Sequence, residues 1–218
     1  ADLFTVDTGT RKISVTNSNN MVANITATID SSNPSAKTKT YVGANSTIQT
    51  TSGTSIFANN GVILYASQGQ THIMAKTVIK NVDTPQSLFV SDVVDLVSVL
   101  DFNGYGITSA NTAFATQIVS KYALDNGQRD SYYGHASIKL IPGNTPATGP
   151  LAISYNRFSS AGAGFFDVDS YNGYTYGSIP SYVSKATGKI YKLRDSLDFR
   201  PVRATPTSAA TANTVTFD

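Results

Sequence analysis

The chain has 218 residues, with 16 basic and 14 acidic side chains and a formal net charge of +2. The charges are scattered and form no block that would follow a phosphate backbone or an anionic lipid surface, which argues against nucleic-acid binding and membrane insertion. The absence of cysteine excludes disulfides, thiolate metal sites and a cysteine nucleophile. No apolar run approaches the roughly 18 residues that a membrane-spanning helix needs.

The composition predicts an all-β fold. Every acidic residue is Asp, so the strong helix former Glu is absent, and Ser and Thr together occupy 52 of the 218 positions. Thr-rich segments punctuated by Gly, Asn and Asp are typical of half-solvated strands and the turns between them.

The first block of the chain shows alternation with a period of two, which indicates strands with one buried face. Strands are predicted at 11–17, 22–30, 38–42, 54–57, 62–66 and 72–79. The turn clusters SSNPSA, TTSG, ANNG and SQGQ separate them at the intervals of a β-sandwich. Pro85, in NVDTPQS, would interrupt strand pairing, so a domain boundary is expected at 81–90.

The second block begins with a stretch, 88–102, that fits a long strand or a short buried helix, and its β-branched content favours the strand. Further strands are predicted at 136–141, 151–155, 165–170 and 189–193. A helical turn or two capped by Ser109 is expected within 107–122, although its threonines oppose this. We therefore predict two β-sandwich, immunoglobulin-like domains in series, at 1–86 and 87–204, followed by an extended linker or tail at 205–218.

The densest group of charged residues lies in YALDNGQRDSYYGHASIKL, residues 122–140. Asn126 and Gly127 readily adopt the positive φ angles of a tight hairpin turn, so we predict a β-hairpin with that turn. Arg129 is placed to pair with Asp125 or Asp130 and fasten it. Catalysis would require ionisable partners in a cleft, and this pattern shows none.

YKLRDSLDFRP contains a second group, in which Arg194, Asp195, Asp198 and Arg200 alternate in sign. The neighbouring apolar residues favour partial burial and a charge network at a domain junction, with Pro201 ending the strand. A solvated strand edge is the alternative. The predicted structural motif thus has nine residues: Asp125, Asn126, Gly127, Arg129, Asp130, Arg194, Asp195, Asp198 and Arg200.

Other chemistries have weaker support in the sequence, and no catalytic residue, metal ligand or cofactor is predicted. His72 and His135 lie in separate blocks, DVDS and DNGQRD lack the ligand spacing of calcium loops, and no GxSxG elbow is present. The tyrosines of SYNGYTYGSIPSY, residues 170–182, could line a sugar-binding face, but packing in the core is the more ordinary role of such rings.

The succession of LDNGQRD, DSY and LRDSLDFRP over residues 88–202 resembles a domain of unknown function in large virion structural proteins of contractile-tailed bacteriophages, including cyanophages. The earlier block, with NNGVILYASQGQTH and VDTPQSLFVSDVVDL, looks like the companion β-module. Gly134 stands where that pattern has an acidic residue. The family offers no catalytic residues to carry over.

The resemblance implies a non-enzymatic structural part of the virion, in the tail, baseplate or tail fibre. Its expected partners are other virion proteins and copies of itself. Two alternatives remain: a module that binds a host-surface carbohydrate or receptor, and a surface-polysaccharide depolymerase. Tyrosine-rich loops around a concave site would favour the binding module, and paired carboxylates in a cleft would favour the enzyme.

Overall fold

The computed structural model describes residues 35–44, 85–107, 110–205 and 215–217, together with the backbone of five strands at 4–7, 12–15, 55–59, 62–66 and 72–75. β-Sheet dominates these residues, and none of their helices reaches seven residues. The all-β prediction is therefore confirmed.

The chain divides into two compact units, Ala1–Asn33 and Pro34–Asp218. In the first unit, β1 (Phe4–Asp7) and β2 (Lys12–Val15) form an antiparallel pair. The second unit contains β3 (Thr38–Val42), β4 (Ser55–Asn59), β5 (Val62–Ala66), β6 (His72–Ala75), β7 (Gln86–Ser91), β8 (Val93–Asp101), β9 (Thr116–Gln117), β10 (Tyr122–Asp125), β11 (His135–Leu140), β12 (Leu151–Ala161), β13 (Tyr171–Asn172), β14 (Ser181–Val183) and β15 (Ile190–Lys192). Its 3₁₀ helices lie at Ala110–Phe114, Val119–Lys121, Val168–Ser170, Tyr176–Ser178 and Leu193–Asp195.

Eight strands form the largest sheet, and β12 is at its centre. The order is β13-β3-β12-β6-β5-β4, and β8 also pairs with β12 and carries β9. β12 runs antiparallel to β3, β6 and β8. The first five residues of β12 are all buried, so both faces of the sheet are covered there, which explains the apolar run that begins at Leu151.

This pairing joins the two blocks of the sequence. β3 and β6 come from the block before Pro85, whereas β12 comes from the block after it, and all three belong to one sheet. Two sandwich domains in series are thus not confirmed, and the predicted boundary at 86 does not coincide with the division at Asn33 and Pro34. The period-two pattern predicts which segments are strands, but it carries no information about which strands pair.

A second sheet has three strands in the order β10-β11-β7. Asp92 separates β7 from β8 and has a φ of 57°. Such left-handed backbone is uncommon outside glycine, and here it redirects the chain from the small sheet into the large one. The predicted single stretch at 88–102 is therefore two strands in different sheets.

The main hydrophobic core is built from strands of both sheets. Leu88 of β7 and Ile138 of β11 pack with Val99 of β8 and with Leu151 and Ile153 of β12, and all five are fully buried. Each such side chain stabilises the fold by roughly 1.5–3 kcal/mol through its removal from water. This core fixes the relative position of the two sheets and of the loops that leave them.

Several local predictions differ from the structure. Residues 165–170, predicted as a strand, form two isolated bridges and a 3₁₀ helix, because the Asp167 side chain accepts a hydrogen bond from the Ser170 amide and caps that helix. Two short 3₁₀ helices occupy parts of 107–122. The predicted strand at 22–30 and the Ser109 cap lie outside the described residues. Phe217, in the predicted tail, bridges Arg203.

Candidate functional site

The hairpin predicted at 122–140 is present, but its turn is elsewhere. β10 and β11 pair antiparallel, and an isolated antiparallel bridge between Gln128 and Tyr133 continues the pairing into the loop that connects them. The Arg129 amide donates to the Tyr132 carbonyl at 2.9 Å, so the tight turn lies at Asp130 and Ser131. The prediction of a turn at Asn126 and Gly127 was therefore wrong, and these two residues lie at its base.

Asn126 and Gly127 bend the chain as it leaves β10. Asp125 Oδ1 accepts the Gly127 amide at 2.9 Å, and Asn126 Oδ1 accepts the Gln128 amide at 3.0 Å. Gly127 has a φ of 81°, and a Cβ there would lie 2.2 Å from the Gly134 carbonyl oxygen. Of the two residues predicted to have positive φ, only Gly127 does, and it does not lie at the loop tip.

Asp125 anchors the side of this loop. Arg129 donates to its two carboxylate oxygens at 3.1 and 3.0 Å, and Lys185 Nζ lies 2.6 Å from Oδ2. Burial alone would raise the pKa of Asp125, but the hydrogen bonds from Arg129, Lys185 and the Gly127 amide outweigh it and lower the pKa to about 2. The predicted ion pair of Arg129 thus forms with Asp125.

Behind the loop lies a buried pair that the sequence did not reveal. Lys39 Nζ is 2.6 Å from Asp92 Oδ2, and the two side chains are 1% and 7% exposed. Gln128 Nε2 donates to the other Asp92 oxygen at 3.0 Å. Asp92 itself has the left-handed backbone conformation between β7 and β8. This one conformation therefore determines both the direction of the chain and the position of the carboxylate.

Four aromatic rings surround the Lys39 ammonium. Nζ lies 4.1 Å from the ring centroid of Tyr133, 4.5 Å from that of Phe166, 5.2 Å from that of Tyr171 and 5.7 Å from that of Phe158. Ring faces attract a cation, but they replace water poorly. Burial consequently lowers the pKa of Lys39, while Asp92 opposes that shift. We call these four rings the aromatic pocket.

Asp198 and Arg200 continue the buried charges on the other side of Tyr133. Arg200 donates from Nε to Asp198 Oδ1 at 2.9 Å and from Nη2 to Oδ2 at 2.8 Å. The Tyr133 hydroxyl donates to Asp198 Oδ2 at 2.5 Å and accepts from Arg200 Nη2 at 2.9 Å. Arg200 also donates to the Arg129 carbonyl at 2.9 Å, which ties this segment to the hairpin loop.

The four charges of LRDSLDFRP therefore separate into two pairs. Asp198 and Arg200 belong to the buried cluster, by which we mean Lys39, Asp92, Tyr133, Asp198 and Arg200. Nearer the surface, Arg194 Nε lies 3.8 Å from Asp195 Oδ2. Asp195 also accepts a hydrogen bond from the Tyr176 hydroxyl. Arg194 and Asp195 lie within the 3₁₀ helix Leu193–Asp195, whereas Asp198 and Arg200 follow it, so the motif forms two ion pairs in place of the predicted single network.

A groove of about 460 Å³ opens beside this segment. Its apolar and aromatic lining is Tyr182, Tyr191, Leu193, Leu197 and Phe199, and its polar lining is Asp130, Ser131, Ser184, Thr187, Ser196, Asp198 and Arg200. We call it the tyrosine groove. Its volume lies within the range of ligand pockets, and it is open to solvent along the β14–β15 hairpin.

Asp130 belongs to the groove and has no part in the Arg129 pair. The Tyr182 hydroxyl donates to its Oδ1 at 2.5 Å, and the Ser184 hydroxyl donates to its Oδ2 at 3.0 Å. These hydrogen bonds lower the pKa of Asp130. Arg200 lies over the Tyr182 ring, 4.4 Å from its centroid, and so connects the groove to the buried cluster.

The structure brings Asp125, Gly127, Arg129, Asp198 and Arg200 together around the hairpin loop. Sequence reasoning missed Lys39, Asp92, Gln128 and Tyr133. Lys39 is the most instructive of these, because in KTKTYV the lysines alternate with threonines and the lysines point inward. Only that alternation could have indicated a buried Lys39, and it is equally typical of lysines on the solvent face.

His135 is half-buried, and its Nε2 lies 3.0 Å from the Ala204 carbonyl oxygen. Partial burial lowers the pKa of His135 to about 4, so the imidazole is neutral at physiological pH. Among the described residues, no three His or Asp side chains are arranged to hold a metal ion. No helix within that part of the chain is long and apolar enough to cross a bilayer.

Comparison with protein-family models, with curated proteins and with solved structures finds no match for this chain.

Proposed function

We propose that the chain is a non-enzymatic structural part of a contractile bacteriophage tail and acts through protein–protein contacts at the tyrosine groove. The observation that carries the proposal is the exposure of large apolar side chains at this groove. Leu197 is 61% exposed and Phe199 is 62% exposed, although both lie next to the buried Asp198. Apolar side chains gathered at one concave surface favour contact with another protein. The motif order at 88–202 supplies the virion context.

The base of the groove suits a rigid contact surface. Arg200 is fixed by Asp198, Tyr133 and the Arg129 carbonyl, so the backbone that presents Leu197 and Phe199 is anchored on one side by buried hydrogen bonds. A surface that is already ordered loses less conformational entropy when it binds.

The carboxylates of the groove argue against hydrolysis. Glycoside hydrolysis needs one carboxyl with a raised pKa to donate a proton and a second that stays ionised. Hydrogen bonds from Tyr182 and Ser184 lower the pKa of Asp130. Burial opposes ionisation of Asp198, but Arg200 and Tyr133 outweigh it and lower that pKa too. Both carboxylates thus stay ionised and accept hydrogen bonds, and neither is the carboxylic acid that glycoside hydrolysis needs.

The experiment is to introduce Leu197→Asp together with Phe199→Asp and to measure the amount of the chain in purified phage particles by quantitative mass spectrometry. We expect incorporation to fall at least tenfold while the thermal stability of the isolated chain is unchanged. Val97→Asp is the matched control, because Val97 is an exposed apolar residue of β8 outside the groove. Normal incorporation of the double variant would contradict the proposal.

Carbohydrate binding at the same groove is the second candidate. The observation that favours it is the position of Tyr182 and Tyr191 beside Asp130, Ser184 and Thr187, since sugars stack on aromatic rings and bond to carboxylates and hydroxyls. Mixing the purified chain with host surface polysaccharide, and measuring both binding and the release of reducing ends, distinguishes the candidates. Binding lost in Tyr191→Ala would support this candidate, and cleavage lost in Asp130→Asn would identify an enzyme.

A further inference from the structure

We propose that Lys39 and Asp92 condense to form an intramolecular isopeptide bond that covalently joins β3 to the junction of β7 and β8. The starting observation is the buried contact of 2.6 Å between Lys39 Nζ and Asp92 Oδ2. A hydrogen bond of this length places Nζ about 3–3.5 Å from the carboxyl carbon, which is the separation of a near-attack arrangement.

The surroundings favour the neutral amine that reacts. Nucleophilic attack requires a free amine, and burial in the aromatic pocket lowers the pKa of Lys39. Moving one proton from Nζ to Oδ2 across the existing hydrogen bond converts the buried ion pair into an amine and a carboxylic acid. A medium of low polarity assists this transfer because it removes two charges from a site that water reaches poorly.

Gln128 is placed to stabilise the developing charge. When Nζ attacks Cγ, negative charge accumulates on Asp92 Oδ1, and Gln128 Nε2 already donates to that atom at 3.0 Å. A donor that is oriented before the reaction stabilises the tetrahedral adduct without reorganisation. Oδ1 then becomes the carbonyl oxygen of the new amide. Gln128 is thus a catalytic residue of this step.

The step balances without any oxidant or co-reactant. The Nζ–Cγ bond forms and the Cγ–Oδ2 bond breaks, and Oδ2 leaves as water. Both hydrogens of that water come from the Lys39 ammonium, and the third stays on the amide nitrogen. Burial opposes the reverse reaction, since hydrolysis needs water at the new amide and the side chains of Lys39 and Asp92 are only 1% and 7% exposed.

The test is the mass of the purified full chain under denaturing conditions. We expect a mass about 18 Da below that of the sequence, which corresponds to the loss of one water molecule. Trypsin should fail to cut after Lys39 and should release one branched peptide that joins residues 38–76 to residues 81–121. The deficit should develop at a rate independent of protein concentration, because the reaction is intramolecular.

Three variants complete the experiment. Lys39→Met and Asp92→Ala should restore the full mass, and Lys37→Met should keep the deficit because Lys37 is a buried lysine of the same segment. An unchanged wild-type mass would overturn the proposal, as would a deficit confined to a single unbranched peptide. The wild-type result decides the matter even if a variant does not fold.

Discussion

At Gly127 the chain leaves β10 with a φ of 81°, and the backbone of Gly134 and His135 lies directly behind it. The left-handed conformation and the close approach are separate constraints, because the first penalises any β-branched side chain and the second penalises any Cβ. The loop that carries Arg129 and Asp130 begins at this point. Changes at Gly127 should therefore be felt by the whole hairpin.

Replacing Gly127 by Val should lower the free energy of unfolding. The strained backbone alone costs about 1–3 kcal/mol, and the close contact adds to that cost. Urea denaturation measures the effect. Gly127→Ala and Gly173→Ala form a matched pair, since Gly173 has a φ of 79° but nothing within 4 Å of its added Cβ. The alanine at 127 should cost more than the alanine at 173, and equal costs would show that the close contact with Gly134 is unimportant.

Asp125 should make the stability of the chain depend on pH. Its pKa of about 2 in the folded protein lies below the ordinary value of about 3.9, so the native state binds fewer protons than the unfolded state between these values. The stabilisation is fully present above about pH 4 and is lost as the pH falls through about 2. Because its side chain is 31% exposed, we expect about 1 kcal/mol after screening by solvent.

Asp125→Asn tests this prediction, since asparagine keeps an acceptor for the Gly127 amide and removes the charge. The variant should be less stable than the wild type by about 1 kcal/mol at pH 7, and this difference should shrink as the pH falls towards 2. Urea denaturation at pH 7, 4, 3 and 2 provides the measurement. A difference that stayed constant over this range would indicate that the charge of Asp125 contributes nothing.

At the level of elements, buried side chains of β3, the β7–β8 junction, the hairpin loop and the segment before Pro201 meet around Tyr133. Tyr133 is fully buried and lies between the Lys39–Asp92 pair and the Asp198–Arg200 pair. Buried ion pairs need a full set of hydrogen bonds to offset the loss of water around them. Gln128 and Tyr133 supply bonds of this kind, so the four segments are stabilised cooperatively.

Removing one member of the cluster should cost far more than removing a surface charge from the same motif. Asp198→Asn should lower the free energy of unfolding by about 3–5 kcal/mol, because it leaves Arg200 buried without its carboxylate. Asp195→Asn is the control, since Asp195 is 43% exposed, and it should cost less than about 1 kcal/mol. Similar losses in the two variants, measured by thermal unfolding, would contradict the difference in burial.

The local pattern predicts strands better than it predicts their partners. The predicted strands at 38–42 and 62–66 have the same bounds in the structure, because alternation and turn residues are local signals. The pairing of β3 and β6 with β12 joins segments about 80–120 residues apart, and strand alternation alone does not specify such partners. For the same reason the burial of Lys39 could not be inferred, since it depends on Asp92 and the aromatic pocket.

At the scale of the whole molecule, the described β-sheets support a rigid segment that presents Leu197 and Phe199 at the tyrosine groove. The proposed tail function requires this groove to be covered by a neighbouring protein in the assembled particle. Stable protein interfaces bury roughly 1,200 Å² or more in total, so the contact must extend beyond these two side chains. Repetition by symmetry is the usual arrangement of such assemblies.

The most direct measurement is the position of this chain in a cryo-electron-microscopy map of the intact phage particle. We expect repeated copies in the tail, with Leu197 and Phe199 buried against a neighbouring virion protein or a second copy of the chain. Absence of the chain from the particle would contradict the proposed function. Copies whose tyrosine groove faces solvent would show that the groove is not the contact surface.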